Sequence, residues 1–175
     1  MKSNNLPGPG GAAPWTPPVA LRDSYNRIVE MMAKSRDSAA KRIQSNKHIL
    51  FDAFDANSVT GADARFDGSG DSGGVDEIDL ATDQDANAIL TKVVEGAKVL
   101  ECTRFGTEGW EDVLTTDPIT IKDLIESIVY DALKAEHEGW ENNEGAYGDI
   151  QFDSETRKII MNFYERSTEH HEHEF

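Results

Sequence analysis

The sequence predicts an α+β fold, an antiparallel sheet of about four strands made by two hairpins, with helices packed on one face. Three observations carry this expectation. Apolar and polar residues alternate on both sides of the glycine-rich stretch 66–74, and they alternate again on both sides of Ser154-Glu155-Thr156-Arg157. Between these regions, Ile121, Leu124, Ile125, Ile128, Val129, Ala132 and Leu133 recur at i, i+3, i+4, i+7, i+8, i+11 and i+12, one face of an amphipathic helix. The strands and helices do not alternate in a βαβ rhythm, so nothing in the pattern asks for a parallel sheet.

Residues 1–18 hold Pro7, Pro9, Pro14, Pro17 and Pro18 with Gly8, Gly10 and Gly11, a composition that supports neither helix nor strand and reads as a flexible arm. Trp15 stands alone in it. Residues 19–57 read as a basic helical segment, either one helix or two. Leu21, Tyr25, Ile28 and Met32 form one stripe; Ile43, Leu50, Phe51 and Phe54 continue the pattern, and Asn57 and Gly61 supply the stop.

Residues 58–175 read as an acidic α+β domain. Ala62 to Phe66 is a short strand, and alternation restarts at Val75, so the residues between read as a long, oxygen-rich loop. Residues 84–101 carry a helix pattern through Ala88, Ile89, Val93, Val94 and Ala97, and 102–118 are irregular. Thr120 with Asp123 resembles a capping box at the start of the strong helix, and Gly139 is its expected end. Gly148–Asp153 and Lys158–Tyr164 then form the second hairpin.

Charge and cysteine content exclude several classes. The chain of 175 residues carries a net charge of −16. Residues 1–48 contain 8 Lys/Arg against 3 Asp/Glu, whereas residues 49–175 contain 9 against 30. Such a body repels phosphates and anionic lipid, which argues against direct nucleic-acid or membrane binding. No apolar run approaches the roughly 20 residues of a membrane span. The single cysteine, Cys102, allows neither an internal disulfide nor a cysteine-based zinc site. Together with the absence of a signal-peptide pattern at residues 1–18, this points to the cytoplasm.

Three polar clusters are candidates for function. The first, Phe66 to Gly74, puts two carboxylates, two hydroxyls and four glycines into nine residues. Asp67, Ser69 and Asp71 fit positions 1, 3 and 5 of a calcium loop, but position 6 is Ser72 rather than Gly and position 12 is Ile78 rather than Glu. Asp and Ser also stabilise turns without any ion. The second is Gly139-Trp140-Glu141-Asn142-Asn143-Glu144-Gly145-Ala146-Tyr147-Gly148, aromatic and amide side chains between glycines, the composition of a pocket or of a core-capping connector. The third is the tail from Glu165 and Arg166, with His170, His171 and His173 among acids. Phe175 is expected to fold back, with its carboxylate near Arg166.

The candidate ligand- or partner-binding residues are therefore Asp67, Ser69, Asp71, Ser72, Trp140, Glu141, Asn142, Asn143, Glu144, Tyr147, Glu165 and Arg166. No catalytic residue is assigned, because no nucleophile elbow, phosphate loop or zinc-protease motif is present. No cofactor is expected. A divalent cation would draw on Asp67, Asp71, Glu77 and His173.

These strings also resemble a family. Phe66-Asp67-Gly68-Ser69-Gly70-Asp71-Ser72-Gly73, Tyr130-Asp131-Ala132-Leu133, the Gly139–Gly148 segment, Phe152-Asp153, Glu165-Arg166 and Glu172-His173-Glu174-Phe175 occur in an order that resembles a family of short acidic proteins of unknown function from bacterial, plasmid and phage genomes. The resemblance covers roughly residues 50–175. The chain departs from it at Asn162-Phe163-Tyr164, where an Asn is expected directly before Glu165. The resemblance implies that the three clusters belong together, and we expect them to converge at one end of the sheet. The expected function is a non-enzymatic acidic binding or adaptor module whose partner is a protein with a basic surface. A nucleic-acid-mimicking inhibitor of a host enzyme and a metal-dependent hydrolase are the alternatives.

Overall fold

A computed structural model describes residues 19–106, 109–169, 171–172 and 174. The arm with Trp15, and His170, His173 and Phe175 of the tail, lie outside the described residues. In chain order the elements are α1 (Val19–Ala56), β1 (Gly61–Ser69), β2 (Ser72–Ala81), α2 (Ala86–Leu90), β3 (Val93–Val94), β4 (Val99–Gly106), β5 (Gly109–Thr115), β6 (Ile119–Thr120), α3 (Ile121–Glu136), β7 (Ala146–Asp153) and β8 (Lys158–Glu165). The fold is α+β. Its main sheet has four antiparallel strands in the order β2-β1-β7-β8.

α1 is a single helix of 38 residues, about 57 Å long at 1.5 Å per residue. Nothing in it breaks helical geometry before Asn57, and Ser58 turns the chain with φ 55°. Its two halves differ. Residues 23–30 are exposed throughout, whereas Ala39, Arg42, Asn46, Leu50, Phe51 and Phe54 are buried. The buried stripe packs with the predicted apolar face of α3 and with Ala62, Ala64 and Phe66 of β1 and Ile150 and Phe152 of β7. The helices thus cover one face of the sheet, and the alternate residues of each strand form an open face. α3 begins in the expected capping box: Thr120 Oγ1 accepts from the Asp123 N–H at 3.1 Å, and an Asp123 carboxylate oxygen accepts from the Thr120 N–H at 3.2 Å. It ends at Glu136, three residues before Gly139, with the His137 N–H donating to Leu133 O.

Three local expectations are corrected. The glycine-rich stretch is not a long loop. β1 and β2 run through it, and only Gly70 and Asp71 turn the chain, with φ 60° and 67°. A two-residue turn with both φ positive matches the twist of a hairpin. The strands continue because Gly68 and Gly73, a cross-strand pair, leave room above them for the Trp140 ring. The register shifts between Arg65 and Phe66, leaving Asp76 as the extra residue of a bulge, which accounts for the two acids between Val75 and Ile78.

Residues 84–101 do not form a helix of that length. α2 spans five residues, capped by Asp85. It stops because β-branched Val93 and Val94 pair as a strand with β6, and because Gly96 takes φ 78°. Residues 102–118 are not irregular either: β4 and β5 make a third hairpin. β4 is largely exposed and neither strand's sequence alternates, so periodicity did not reveal the hairpin. Polar anchors from α1 hold it. Asn46 exchanges two hydrogen bonds of 2.8 Å with the Lys98 main chain, as a neighbouring strand would. Arg42 donates to Asp131 of α3 at 2.6 Å and to Asp112 of β5 at 2.9 Å, with its side chain 3% exposed. Burial pushes the Asp131 carboxyl up, against the pull of Arg42. No helix among the described residues is long and apolar enough to cross a membrane.

Candidate functional site

The first two polar clusters, with Glu165 and Arg166 at the start of the third, meet at the turn end of the β1–β2 hairpin, and the glycines make this sterically feasible. A Cβ on Gly68 would lie 2.5 Å from the Trp140 ring, and a Cβ on Gly73 would collide with the same ring. Trp140 therefore lies on bare backbone. From there its ring meets Phe66 edge-on at 5.4 Å, Phe66 lies 6.1 Å from Phe163, and Phe163 stacks on His137 at 3.6 Å. This aromatic run fixes the connector 139–145 over the hairpin.

Main-chain bonds then join the segments. The Gly70 N–H donates to Asn143 O at 3.0 Å and the Asp71 N–H to Glu141 O at 3.1 Å. The connector presents those carbonyls because it turns tightly, with positive φ at Gly139, Asn143 and Gly145. At Gly145 only glycine fits, since a Cβ there would collide with Gly68 O. The Arg166 N–H donates to Gly145 O at 3.0 Å, which brings the start of the tail onto the same assembly.

Arg166 completes the junction. Its guanidinium donates to Gly68 O at 2.8 Å and to the Asp67 carboxylate at 2.5 Å, and it lies over the Tyr147 ring at 5.0 Å. Tyr147 stacks in turn on Tyr164, with centroids 5.3 Å apart. A cavity of about 230 Å³ lies beside this junction, with Trp140, Asn142, Asn143, Glu144, Phe163 and Arg166 in its lining.

All the candidate binding residues thus fall in one region. Asp67, Tyr147 and Arg166 meet directly. Ser69 and Ser72 flank the turn, with Ser72 Oγ donating to Ser69 O at 3.4 Å. Asp71, Asn142, Asn143, Glu144 and Glu165 are exposed around it, and Glu141 is half-buried.

The cation candidates are not gathered. Asp67 is held by Arg166, and Glu77 lies on the open face, where Arg65 bonds it at 2.5 Å. Asp71 sits in the turn, and His173 is outside the described residues. Among the described residues no three His, Cys, Asp or Glu side chains come together as a metal site.

Sequence reasoning missed the open face of the sheet beside this junction. Arg65 bridges Glu77 and Asp79 there, Asn162 donates to Asp149 at 2.8 Å, and Ile160 and Tyr164 are exposed. Burial and neighbouring Asp149 push the Asp63 carboxyl up on this face, partly offset by Arg65. The signal was available: in β1, β7 and β8 these are the residues alternating with the core positions.

Neither a curated protein nor a solved structure matches the chain. A family model does, over residues 42–175, so the match takes in the sheet, α3 and the junction and leaves out the exposed half of α1. The chain belongs to that family, DUF6878, a family of unknown function.

Proposed function

We propose that this protein is a non-enzymatic binding or adaptor module whose acidic loop end engages a basic surface on a protein partner. The observation that carries this reading is the convergence just described. Asp71, Glu141, Glu144 and Glu165 surround one junction, and Arg166, the cation at its centre, is already paired with Asp67. The rim is therefore acidic, and its backbone is held by the Trp140 and Gly145 contacts, so little ordering is needed on binding. Complementary charge of this kind steers association and selects partners. The strongly acidic body and the lone cysteine agree with a cytoplasmic partner in a bacterial or phage-infected cell. The reading requires no cofactor.

The test is capture from bacterial lysate on immobilised full chain, beside a variant carrying Asp71→Lys, Glu141→Lys and Glu144→Lys. The expected result is a basic protein retained by the wild type, lost by the variant and unaffected by excess DNA. Retention of the same proteins by both chains overturns the reading. Displacement by DNA transfers it to nucleic-acid mimicry.

A further inference from the structure

The two edges of the main sheet are built differently. On one edge, β2 carries Asp76, Glu77 and Asp79 and is bent by the bulge at Asp76. Charge and a bulge are the usual means by which a protein prevents an edge from pairing. The other edge, β8, has no bulge and no charge between its two end residues. Its eight residues, Lys-Ile-Ile-Met-Asn-Phe-Tyr-Glu, contain no proline or glycine, pair with β7 in unbroken register, and place charge only at Lys158 and Glu165. Among the described residues no strand pairs with its outer side. Ile160 and Tyr164, both on the open face, are 50% and 52% exposed.

The geometry points to β8 as a self-association edge, occupied by β8 of a second copy of this chain in antiparallel pairing. The strand is self-complementary about Asn162. In that register Asn162 faces Asn162 of the second copy, and Ile160 faces its Tyr164, so each exposed apolar side chain of the strand meets the other. Met161 faces Phe163 on the helix-covered side. Pairs of an aromatic with a β-branched residue are among those that stabilise adjacent strands. The arrangement is isologous, as a closed two-fold dimer requires. Arg166 stands opposite Lys158 in this register, but its guanidinium is turned back to Asp67 and Gly68. Centring the pairing on Met161 instead would set Ile160 against Asn162 and Tyr164 against Lys158, leaving both apolar groups unmatched. The product is an eight-stranded sheet with two acidic loop ends, a bivalent form of the module. The proposal is independent of what those loop ends bind.

Sedimentation equilibrium of the full chain tests it. The wild type is expected at twice the 19.3 kDa chain mass, and Ile160→Lys at the single mass with a cooperative melt that no longer depends on protein concentration. In a Cys102→Ser background, Asn162→Cys is expected to form a disulfide-linked dimer on mild oxidation, whereas Glu155→Cys, at the hairpin turn, does not cross-link. A monomeric wild type, a dimer that survives Ile160→Lys, or failure of Asn162→Cys to cross-link overturns the proposal. The loop-end variant Asp71→Lys, Glu141→Lys, Glu144→Lys should still dimerise, which separates this outcome from that of the binding reading.

Discussion

Arg166 and Asp67, 99 residues apart in sequence, meet through a hydrogen bond of 2.5 Å at the point where hairpin, connector and tail join. The same guanidinium holds Gly68 O and covers Tyr147, so one side chain closes three separate segments. The pair is partly exposed, 34% on Arg166 and 46% on Asp67, which puts its coupling near the top of the range for surface ion pairs, about 1 kcal/mol. A double-mutant cycle with Arg166→Met and Asp67→Asn, read by denaturant midpoint, should return that coupling. Arg166→Met alone should cost more, because it also removes the donor to Gly68 O. Strict additivity would show that the contact contributes nothing.

Gly68→Ala and Gly145→Ala should both damage the junction, for different reasons. At Gly68 the added methyl displaces the Trp140 ring, an overpacking cost of about 1–3 kcal/mol. At Gly145 it meets the main chain of Gly68, which cannot yield as a side chain can, and it is placed at φ 75°. The loss should therefore be larger at Gly145. Thermal melts rank the two, and Gly68→Ala should also alter tryptophan fluorescence.

The buried Arg42 tests what a charged pair does in this core. Arg42→Met leaves Asp131 buried without its cation and should cost about 3–5 kcal/mol. Replacing Arg42 by Met together with Asp131→Leu and Asp112→Leu removes the stranded charges and should recover most of that loss. Denaturant unfolding of the two variants decides between them. Equal destabilisation would mean that the cluster positions the β4–β5 hairpin rather than merely neutralising itself.

Asp63 predicts a pH effect of definite sign. Burial and Asp149 raise its carboxyl in the folded protein, so the protonated form is favoured by folding. Its stabilising contribution is full below the unfolded value, about pH 4, and is lost as pH rises through the raised folded value. Asp63→Asn should therefore melt above the wild type at neutral pH and converge with it in acid. A lower melting temperature at neutral pH would mean that the attraction of Arg65 outweighs burial and the repulsion from Asp149.

Deletion of residues 1–30 should change stability by less than about 0.5 kcal/mol, as for surface changes in general. Residues 23–30 are exposed along the helix and contribute nothing to the core. A large fall in the denaturant midpoint would show that the exposed stripe of Tyr25, Ile28 and Val29 is covered in solution.

The elements legible in the sequence were those whose signal is local. α3 was read residue by residue because its stripe lies wholly on one buried face, and its start because Thr120 and Asp123 bond within a single turn. β7 and β8 were read because Ile150 and Phe152 alternate with polar neighbours. The β4–β5 hairpin was not legible, because it is held by Arg42 and Asn46, more than fifty residues away, and not by an apolar face of its own.

The fold class, the two hairpins of the main sheet and the residue types that crowd the junction are legible along the chain, because periodicity and turn chemistry depend on neighbours a few residues apart. What those residues do to one another depends on how the elements pack. The glycines that read as an oxygen-rich loop are the bare backbone of two paired strands, made necessary by Trp140 much later in the chain. Asp67, which read as a ligand for a cation, has Arg166 as that cation. Steric fit and charge pairing are set by distance in space, and the register of four strands brought these groups within reach.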